Sequence, residues 1–197
     1  MTDTEQLSTA PPRRNPALPG GIWPTRNARM VTHAIDLCRT ARHLGMVSGP
    51  SGIGKSAAAS AAVKAATEAD HEAHYIQFAI TAGELKSGLV RIAKSIRASL
   101  HSSMSADEVL EALVWSIETW TPGGVLVLDE AQYMGDDLIC AIRDLADELQ
   151  ARRRMPGIVM VGTPDLAARI NGRIGARGRK FEPLRGRLGA SVELTAP

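Results

Sequence analysis

Residues 49–56 read GPSGIGKS, which places two glycines, a lysine and a serine at the spacing G-x-x-x-x-G-K-S. A short apolar run, Leu44–Ser48, precedes this octet, and an alanine-rich stretch from Ala57 to Ala66 follows it. The first is typical of a strand and the second of a helix. A glycine-rich loop at a helix N-terminus turns backbone N–H groups inward and favours negative charge. The octet therefore predicts a phosphate-binding loop in a chain of strands and helices.

Two side chains of the octet have separate predicted tasks. We expect Lys55 to reach the β- and γ-phosphates of a nucleoside triphosphate, and the Ser56 hydroxyl to bind Mg²⁺. A plain glycine-rich turn is the alternative, but all four fixed residues are present between a strand and a helix, which disfavours it. The predicted nucleotide-binding residues of this stretch are Gly49, Pro50, Ser51, Gly52, Ile53, Gly54, Lys55, Ser56 and Ala57.

The composition is that of a globular protein. The chain has 197 residues, 44% of them hydrophobic and 22% charged, and no apolar run approaches the ~20 residues that a membrane span needs. Its first ten residues are polar, which argues against a signal peptide. We therefore expect a cytoplasmic protein without a membrane partner. Residues 1–22 are rich in Pro and Gly and predict a flexible arm, and residues 23–197 predict the nucleotide-binding domain.

Four more segments resemble strands, and helical periodicity separates them. His74–Phe78 alternates, Val125–Leu128 and Ile158–Val161 are unbroken apolar runs, and Ser191–Leu194 comes last. Unbroken apolar runs are typical of strands buried on both faces of a parallel sheet. The predicted helices lie at 27–43, 81–100 (with Thr81 and Glu84 as a capping box), from 105 to about 120, and at 136–153. This alternation predicts a parallel α/β sheet.

An acidic pair follows the third predicted strand. In open α/β sheets ligands bind at the carboxyl ends of the strands, so Asp129 is placed to hold a phosphate-bound Mg²⁺ together with Ser56. Glu130, one residue later, is placed to activate the water that attacks the γ-phosphate. A solvated acidic pair at a strand end is the alternative, and the presence of Lys55 and Ser56 in the same chain disfavours it.

Three residues further along complete the predicted catalytic set. Thr163 follows the fourth strand, where its side chain would face the γ-phosphate or the attacking water; a turn-forming threonine before Pro164 is the alternative. Arg185 and Arg187 precede the last strand. Either is a candidate for the cation that stabilises the transferred phosphoryl group, supplied across a subunit interface. A solvated basic loop is the alternative for one of them.

The charge of the chain is unevenly distributed. Residues 152–187 carry ten Lys and Arg residues against two acidic ones, a net charge of +8, whereas residues 1–151 carry 13 basic and 18 acidic residues. Such asymmetry indicates a polyanionic partner, and neutralisation of phosphates is the main source of non-specific DNA binding. We therefore expect duplex DNA to bind segment 152–187.

The motifs GPSGIGKS, VLVLDEAQ, IVMVGTP and LRGRL, in this order and spacing, resemble those of AAA+ ATPases. They are similar in particular to the transposition helper group that includes the phage Mu B protein. The resemblance implies a three-layer α-β-α P-loop NTPase with a five-stranded parallel sheet of order 5-1-4-3-2. It also implies that ATP, with Mg²⁺, binds at subunit interfaces of a helical or ring homo-oligomer.

The same resemblance implies roles for single residues and for partners. Thr163 matches the first sensor position, and Arg187 matches the finger arginine, with Arg185 as the second choice. Gln77 matches a position that couples the catalytic glutamate to DNA. The implied function is ATP-dependent coating of duplex DNA without sequence preference, and recruitment or stimulation of a transposase. A bacterial protein, encoded by a phage or a mobile element, is the expected source.

The chain departs from the resemblance at its end. The C-terminal helical lid, with its second sensor arginine, has no counterpart before Pro197, and we expect it to be missing, either by trimming or naturally. Three other functions stay open: a helicase loader or secretion-associated ATPase, a nucleotide-gated scaffold with little turnover, and a P-loop kinase of small molecules. Glu130 argues against the kinase, because such enzymes usually lack a water-activating carboxylate there.

Overall fold

The computed structural model describes residues 24–80, 83–172 and 178–196. Some predictions lie outside the described residues. They are the arm at 1–22, the start of the domain at Trp23, the cap at Thr81, and the side chains of Arg173, Arg177 and Arg179 in the basic segment.

Seven α-helices and five strands alternate along the described residues. The strands are β1 (Leu44–Ser48), β2 (Ala73–Gln77), β3 (Val125–Asp129), β4 (Gly157–Gly162) and β5 (Leu188–Glu193). The helices are α1 (Arg26–Ala41), α2 (Lys55–Glu68), α3 (Leu85–Ser95), α4 (Ala106–Glu118), α5 (Asp136–Ala151), α6 (Pro164–Ile170) and α7 (Glu182–Arg185). Short 3₁₀ turns at Ala131–Tyr133 and Gly178–Phe181 link β3 to α5 and lead into α7.

All five strands form one parallel sheet in the order β2-β3-β4-β1-β5. This is the predicted order 5-1-4-3-2, counted from the other edge of the sheet, and the prediction is confirmed. Because the strands are parallel, their carboxyl ends meet at one edge, which we call the carboxyl edge. Ser48, Asp129 and Gly162 end the three central strands there.

The sheet has an apolar layer on each face. Leu126 and Leu128 point to one face and pack in a cluster with residues of α3, α4 and α5. Val125 and Val127 point to the other face and pack in a second cluster with residues of α1 and α2. Every residue of β1, β3 and β4 is buried, which is the reason that these strands read as unbroken apolar runs.

Helix ends account for most differences from the predicted elements. The predicted helix 81–100 begins only at Leu85 and ends at Ser95. It ends there because Arg97 has a left-handed backbone (φ 58°), through which a helix does not continue. Helix α4 has the capping box expected of such a start: Glu108 N donates to Ser105 Oγ at 3.2 Å, and Ser105 N donates to Glu108 Oε2 at 2.6 Å. Helix α6 was not predicted, because its surroundings read as a basic, glycine-rich segment.

No described helix is both long enough and apolar enough to cross a membrane.

Candidate functional site

The predicted phosphate loop lies at the carboxyl edge, between β1 and the first residue of α2. Gly52 and Gly54 have left-handed backbones (φ 80° and 89°), and Gly54 is the N-cap of α2. Only glycine adopts this conformation without strain. Gly49 is required for a different reason: a Cβ there would lie 2.8 Å from the Cβ of Leu194. The loop is therefore wedged against the end of β5, and its N–H groups precede a helix N-terminus.

Lys55, the first residue of α2, is 9% exposed. Its ammonium group donates to Gly49 O at 2.8 Å and to Pro50 O at 2.7 Å, which folds the side chain back over the loop. Burial lowers the pKa of Lys55, and the nearby carboxylates of Glu130 and Asp129 oppose this effect. The lysine therefore lies within the electrostatic field of the acidic pair, as the sequence predicts.

Asp129, at the end of β3, is 1% exposed. Its Oδ1 accepts from Glu130 N at 2.9 Å, and its Oδ2 accepts from the hydroxyl of Tyr75 on β2. The Ser56 side chain lies close to the same hydroxyl and acts to lower its pKa. Burial, followed by the contact with Asp129, raises the pKa of Tyr75. One hydroxyl thus lies beside both predicted Mg²⁺ ligands, and no pattern in the sequence indicates Tyr75.

These oxygen atoms suit a magnesium ion. Mg²⁺ is usually held by one or two protein oxygens and by the phosphates of its substrate, with water in the remaining positions. Ser56 and Asp129 supply one hydroxyl and one buried carboxylate, and both lie beside the Tyr75 hydroxyl. Among the described residues, no group of three or more His, Cys, Asp and Glu side chains is placed to hold a metal by protein ligands alone. The residues therefore fit a metal bound together with a nucleotide.

Glu130 follows Asp129 with a left-handed backbone (φ 55°). This conformation is uncommon for a residue with a Cβ and is often found at functional sites. Its Oε2 accepts from Gln132 Nε2, and Gln132 Oε1 accepts from Thr163 N at 3.2 Å. The Thr163 hydroxyl is buried and has no hydrogen-bond partner in the described structure. The predicted base and the predicted sensor are thus joined by one amide side chain.

An arginine on α6 holds the turn that carries this amide. Arg169 donates to the carbonyl oxygens of Gln132 and Met134, each at 3.0 Å, and to Asp136 Oδ1 at 2.7 Å. The side chain of Arg169 is 25% exposed. This member of the predicted DNA-binding segment therefore has a structural task in the site. No pattern in the sequence indicates this task, because the partners of Arg169 lie 33 to 37 positions away.

Two of the clefts that adjoin the phosphate loop have volumes of about 500 Å³ or more. The first, of about 780 Å³, lies beside the acidic pair and includes Ser51, Gln77, Glu130 and Thr163. Gln77, which the resemblance links to the glutamate, lines this cleft, whereas the side chain bonded to Glu130 is that of Gln132. The second cleft, of about 500 Å³, lies on the other side of the loop. It is lined by residues 25–28 around the start of α1, by Gly52, Ile53, Gly54 and Ala57, and by Thr195 and Ala196.

Arg185 and Arg187 do not join the site of their own chain. They lie at and just after the end of α7, before β5 begins, and Leu188 of β5 pairs with Leu44 at the start of β1. They are therefore at the edge of the sheet opposite the phosphate loop. Arg187 Nε bonds to Asp147 on α5, and Arg185 donates to Ile170 O at 3.2 Å. A role at a phosphate would have to be played on another copy of the chain.

The basic segment is partly neutralised within the chain. Arg152 pairs with Glu148 at 2.8 Å and with Glu118 at 3.1 Å, and its guanidinium lies 5.4 Å from the ring centre of Trp115. Arg153 and Arg154 are exposed. Three further ion pairs join the segment to α5, namely Arg169–Asp136, Lys180–Asp137 and Arg187–Asp147. The net charge of +8 therefore overstates the positive charge that is free to meet a polyanion.

Comparison with solved structures shows a shared fold. The chain is similar to the Aeropyrum pernix ORC2 protein, solved as ADPNP–ADP complexes (20% identity, 86% of this chain and 47% of that chain, TM-score 0.60). It is also similar to CDC6P from Pyrobaculum aerophilum (18%, 91% and 47%, TM-score 0.63). A third similar structure is the A. pernix ORC1 protein in complex with DNA (21%, 87% and 44%, TM-score 0.55). The chain spans less than half the length of these proteins.

Comparison of sequences identifies the family. A search of curated proteins gave no match. The model of the family described as AAA domain matches residues 38–170, which include the phosphate loop, the acidic pair and Thr163. Since this match covers more than half of the chain, the protein is a member of the AAA domain family.

Proposed function

We propose that this protein is an ATPase that binds ATP with Mg²⁺ at the carboxyl edge of its sheet. The observation that carries the proposal is the Tyr75 hydroxyl, which bonds to Asp129 of the acidic pair and lies close to Ser56 of the phosphate loop. The two halves of a phosphate–metal site, 73 positions apart in the sequence, thus meet at one point. Family membership supports the same chemistry.

Each part of the loop has a task in binding. The N–H groups of residues 51–57 surround the phosphates, and Lys55 moves its ammonium group from the loop carbonyls to the β- and γ-phosphates. Ser56 and Asp129 hold the Mg²⁺ ion, which supplies charge neutralisation to the phosphates. The adenine base occupies the cleft between the start of α1 and Ala57, on the side of the loop away from Glu130.

The remaining residues act on the γ-phosphate. The carboxylate of Glu130 takes a proton from a water molecule, whose oxygen bonds to the γ-phosphorus while the bond from that phosphorus to the β–γ bridging oxygen breaks, giving ADP and phosphate. The buried hydroxyl of Thr163 orients the γ-phosphate or the water. Arg187 of a neighbouring copy, with Arg185 as the second choice, stabilises the charge of the transferred group.

Replacement of Glu130 tests the ATPase proposal. Glu130→Gln keeps the size of the side chain but cannot accept the proton, so we expect nucleotide affinity to be retained and steady-state hydrolysis to fall about 100-fold or more. Lys55→Ala should abolish binding of a fluorescent ATP analogue. Glu111→Gln, on an exposed residue of α4, is the matched control and should leave both quantities unchanged.

The outcomes separate the other functions. Binding of ATP without turnover by the unaltered protein would overturn the ATPase proposal and support the nucleotide-gated scaffold. Hydrolysis that survives Glu130→Gln would overturn the role of Glu130. Transfer of phosphate to a metabolite, without release of phosphate into water, would support the small-molecule kinase.

We further propose that the protein acts as a homo-oligomer on duplex DNA, as a helper in transposition. The support is the resemblance of its motif order to the transposition helper group, together with the basic segment 152–187. Ion pairs on α5 engage Arg152, Arg169, Lys180 and Arg187, and Arg185 donates to Ile170 O. In the described part of the segment, we therefore choose the exposed Arg153 and Arg154 as the candidates for DNA contact. The A. pernix ORC1 protein, solved with DNA, has a similar fold.

Binding of a labelled duplex, measured by anisotropy at several salt concentrations, tests the DNA proposal. We expect affinity to require ATP and to fall steeply with salt, by a log–log slope of about 0.9 for each phosphate neutralised. The double variant Arg153→Ala/Arg154→Ala should weaken binding, and Arg91→Ala, on the exposed face of α3, is the control. Affinity that is indifferent to both ATP and salt would overturn the proposal.

Electron microscopy with ATP, with and without duplex DNA, tests the assembly. Filaments or rings that require ATP are expected. Stimulation of a purified transposase by the ATP-bound assembly would support the transposition role. Specific binding to a purified replicative helicase, without any effect on a transposase, would instead favour the helicase loader.

A further inference from the structure

The side chain of Gln132 lies between the two residues proposed to act on the γ-phosphate. Its Nε2 donates to Glu130 Oε2, and its Oε1 accepts from Thr163 N at 3.2 Å. Glu130 directly follows β3, and Thr163 directly follows the neighbouring strand, β4. Gln132 is therefore the side chain that connects the ends of two adjacent strands at the site.

The chemistry of this contact requires an amide of this length. A carboxylate such as Glu130 only accepts hydrogen bonds, and a backbone N–H such as that of Thr163 only donates. The connecting group must therefore donate at one end and accept at the other, as the amide of glutamine does. A glutamate at this position would lose the donor and place a second negative charge beside Glu130.

The amide is held in place from several directions. The backbone carbonyl oxygen of Gln132 accepts a hydrogen bond from Arg169 at 3.0 Å, and Arg169 also donates to Asp136. The amide oxygen also packs closely on β4, because a Cβ on Gly162 would lie 2.9 Å from Gln132 Oε1. Tight packing of this kind leaves few positions for the amide, and therefore few for the carboxylate that it binds.

We propose that Gln132 is a positioning residue for ATP hydrolysis, which acts through Glu130. It fixes one carboxylate oxygen of Glu130, so that the other is presented to the attacking water, and it ties this carboxylate to the backbone of Thr163. Binding of the γ-phosphate to the Thr163 hydroxyl therefore affects the position of Glu130 through Gln132. The inference rests on the proposed ATPase function, and adds to it the residue that links the sensing of phosphate to the base.

Two variants of Gln132 test this role. Gln132→Glu keeps the shape but removes the donor, and Gln132→Met keeps the length but removes both polar atoms. Because a small misplacement of a catalytic group costs up to about 100-fold in rate, we expect kcat to fall roughly 10- to 100-fold. The dissociation constant for ATP, measured with a fluorescent analogue, should change less than about twofold, since binding and positioning are separable quantities. Gln150→Glu, at the exposed end of α5, is the matched control.

A double variant separates positioning from a structural role. A residue that acts only through Glu130 has no further effect once Glu130 is inactive, so Glu130→Gln/Gln132→Met should hydrolyse ATP no more slowly than Glu130→Gln alone. Additive losses, or a loss of ATP affinity that matches the loss of kcat, would overturn the proposal. Thermal melting of each variant reports whether the fold is retained.

The two levels of inference fail differently. If the unaltered protein hydrolyses ATP and Glu130→Gln does not, but both Gln132 variants remain fully active, then the positioning role is overturned and the ATPase function stands. If the unaltered protein does not hydrolyse ATP, the ATPase function fails and the positioning role fails with it.

Discussion

The Tyr75 hydroxyl donates a hydrogen bond to the Asp129 carboxylate, 54 positions further along the chain. The two residues lie on adjacent parallel strands, where Gln77 pairs with Asp129 and Tyr75 with Val127. The contact therefore runs along the strand direction, from the middle of β2 to the end of β3. It brings a neutral donor to a buried carboxylate, and Ser56 lies close to the same hydroxyl.

Removal of this hydroxyl should weaken the magnesium site. In Tyr75→Phe the ring remains, Asp129 loses its hydrogen-bond donor, and Ser56 loses the hydroxyl beside it. Loss of such supporting hydrogen bonds typically costs about 10- to 100-fold in metal affinity or activity. We expect the affinity for a fluorescent ATP analogue at low Mg²⁺ concentration to fall by this amount, whereas the affinity in the presence of a chelator stays unchanged. Equal losses with and without metal would show that Tyr75 acts on the loop and not on the metal site.

The close approach of the loop to β5 can be tested with one methyl group. In Gly49→Ala the new Cβ would lie 2.9 Å from Ile53 Cδ1 and 3.1 Å from Leu194 O. Leu194 cannot retreat easily, because its N–H donates to Ser48 O at 2.7 Å. Overpacking of this kind costs about 1–3 kcal/mol, so the melting temperature and the nucleotide affinity should both fall.

Gly186→Ala is the matched control for that variant. A Cβ at Gly186 would meet only Pro183 O, at an ordinary 3.7 Å, and its φ of −64° suits any residue. The melting temperature and nucleotide binding should therefore stay as in the unaltered protein. If Gly49→Ala is equally well tolerated, the loop is not fixed by its contact with β5.

The proposed action of Arg187 on a neighbouring copy predicts complementation. Arg187→Ala should lower hydrolysis by about 10³-fold or more at concentrations where the protein assembles, as expected for a finger arginine. Mixing this variant with Glu130→Gln creates sites that combine an intact Glu130 with an intact neighbouring Arg187. The mixture should therefore hydrolyse ATP faster than the sum of its parts.

An arginine on α5 controls for the complementation experiment. Arg143 is ion-paired with Asp144, so Arg143→Ala also removes an arginine from a surface ion pair and should leave hydrolysis unchanged. If Arg187→Ala is silent and Arg185→Ala is not, the finger is Arg185. A mixture that shows no gain over its components would overturn the role of Arg187 on a neighbouring copy.

The buried thiol of Cys38 should resist labelling. Burial raises the pKa of Cys38 from 9.0 to about 11. At pH 8 the thiolate fraction therefore falls roughly 100-fold relative to a pKa of 9, and the thiolate is the reactive form. We expect Ellman's reagent to modify Cys140 first in the folded protein and both thiols in denaturant. The labelling rate of Cys38 should rise about tenfold per pH unit up to pH 11.

The free energy of unfolding should depend on pH because of the same thiol. The pKa of the Cys38 thiol in the folded protein is raised above its ordinary value. The contribution of this thiol to the free energy of unfolding is therefore complete below about pH 9 and is lost as the pH rises towards 11. Cys38→Ala removes this pH dependence, and urea unfolding between pH 8 and pH 11 measures it. Rapid labelling of Cys38 in the folded state would contradict the burial of α1 against the sheet.

Local spacing was sufficient to predict that Lys55, Ser56 and Asp129 lie at one edge of the sheet, and their roles in binding stay predictions. Lys55 and Ser56 stand in a fixed pattern, and Asp129 follows an apolar run that is typical of a buried strand. The strand order, by contrast, came from resemblance to known ATPases, since nothing in the apolar runs says which strand pairs with which. Helix α6 was missed, although Pro164 after Thr163 is typical of a helix start.

The connecting side chains could not be predicted from the sequence. Tyr75, Gln132 and Arg169 act through partners that only the folded sheet brings near, and each has an ordinary place in a strand, turn or helix pattern. The same reason explains why the sequence overestimates the free positive charge of segment 152–187. Lys180 and Arg187 meet acidic residues of α5 that lie 43 and 40 positions earlier, so a local count of charges does not include their partners.

The position of Arg187 at the far edge of the sheet affects how many sites an assembly completes. Lys55 and Arg187 are separated by the length of β1, which rises about 16 Å over its five residues. With each arginine serving the next copy, an open row of n copies completes n − 1 sites, because one end copy has no donor, whereas a closed ring of n copies completes all n. Turnover per chain in an open row therefore rises with its length, and short rows are the least active.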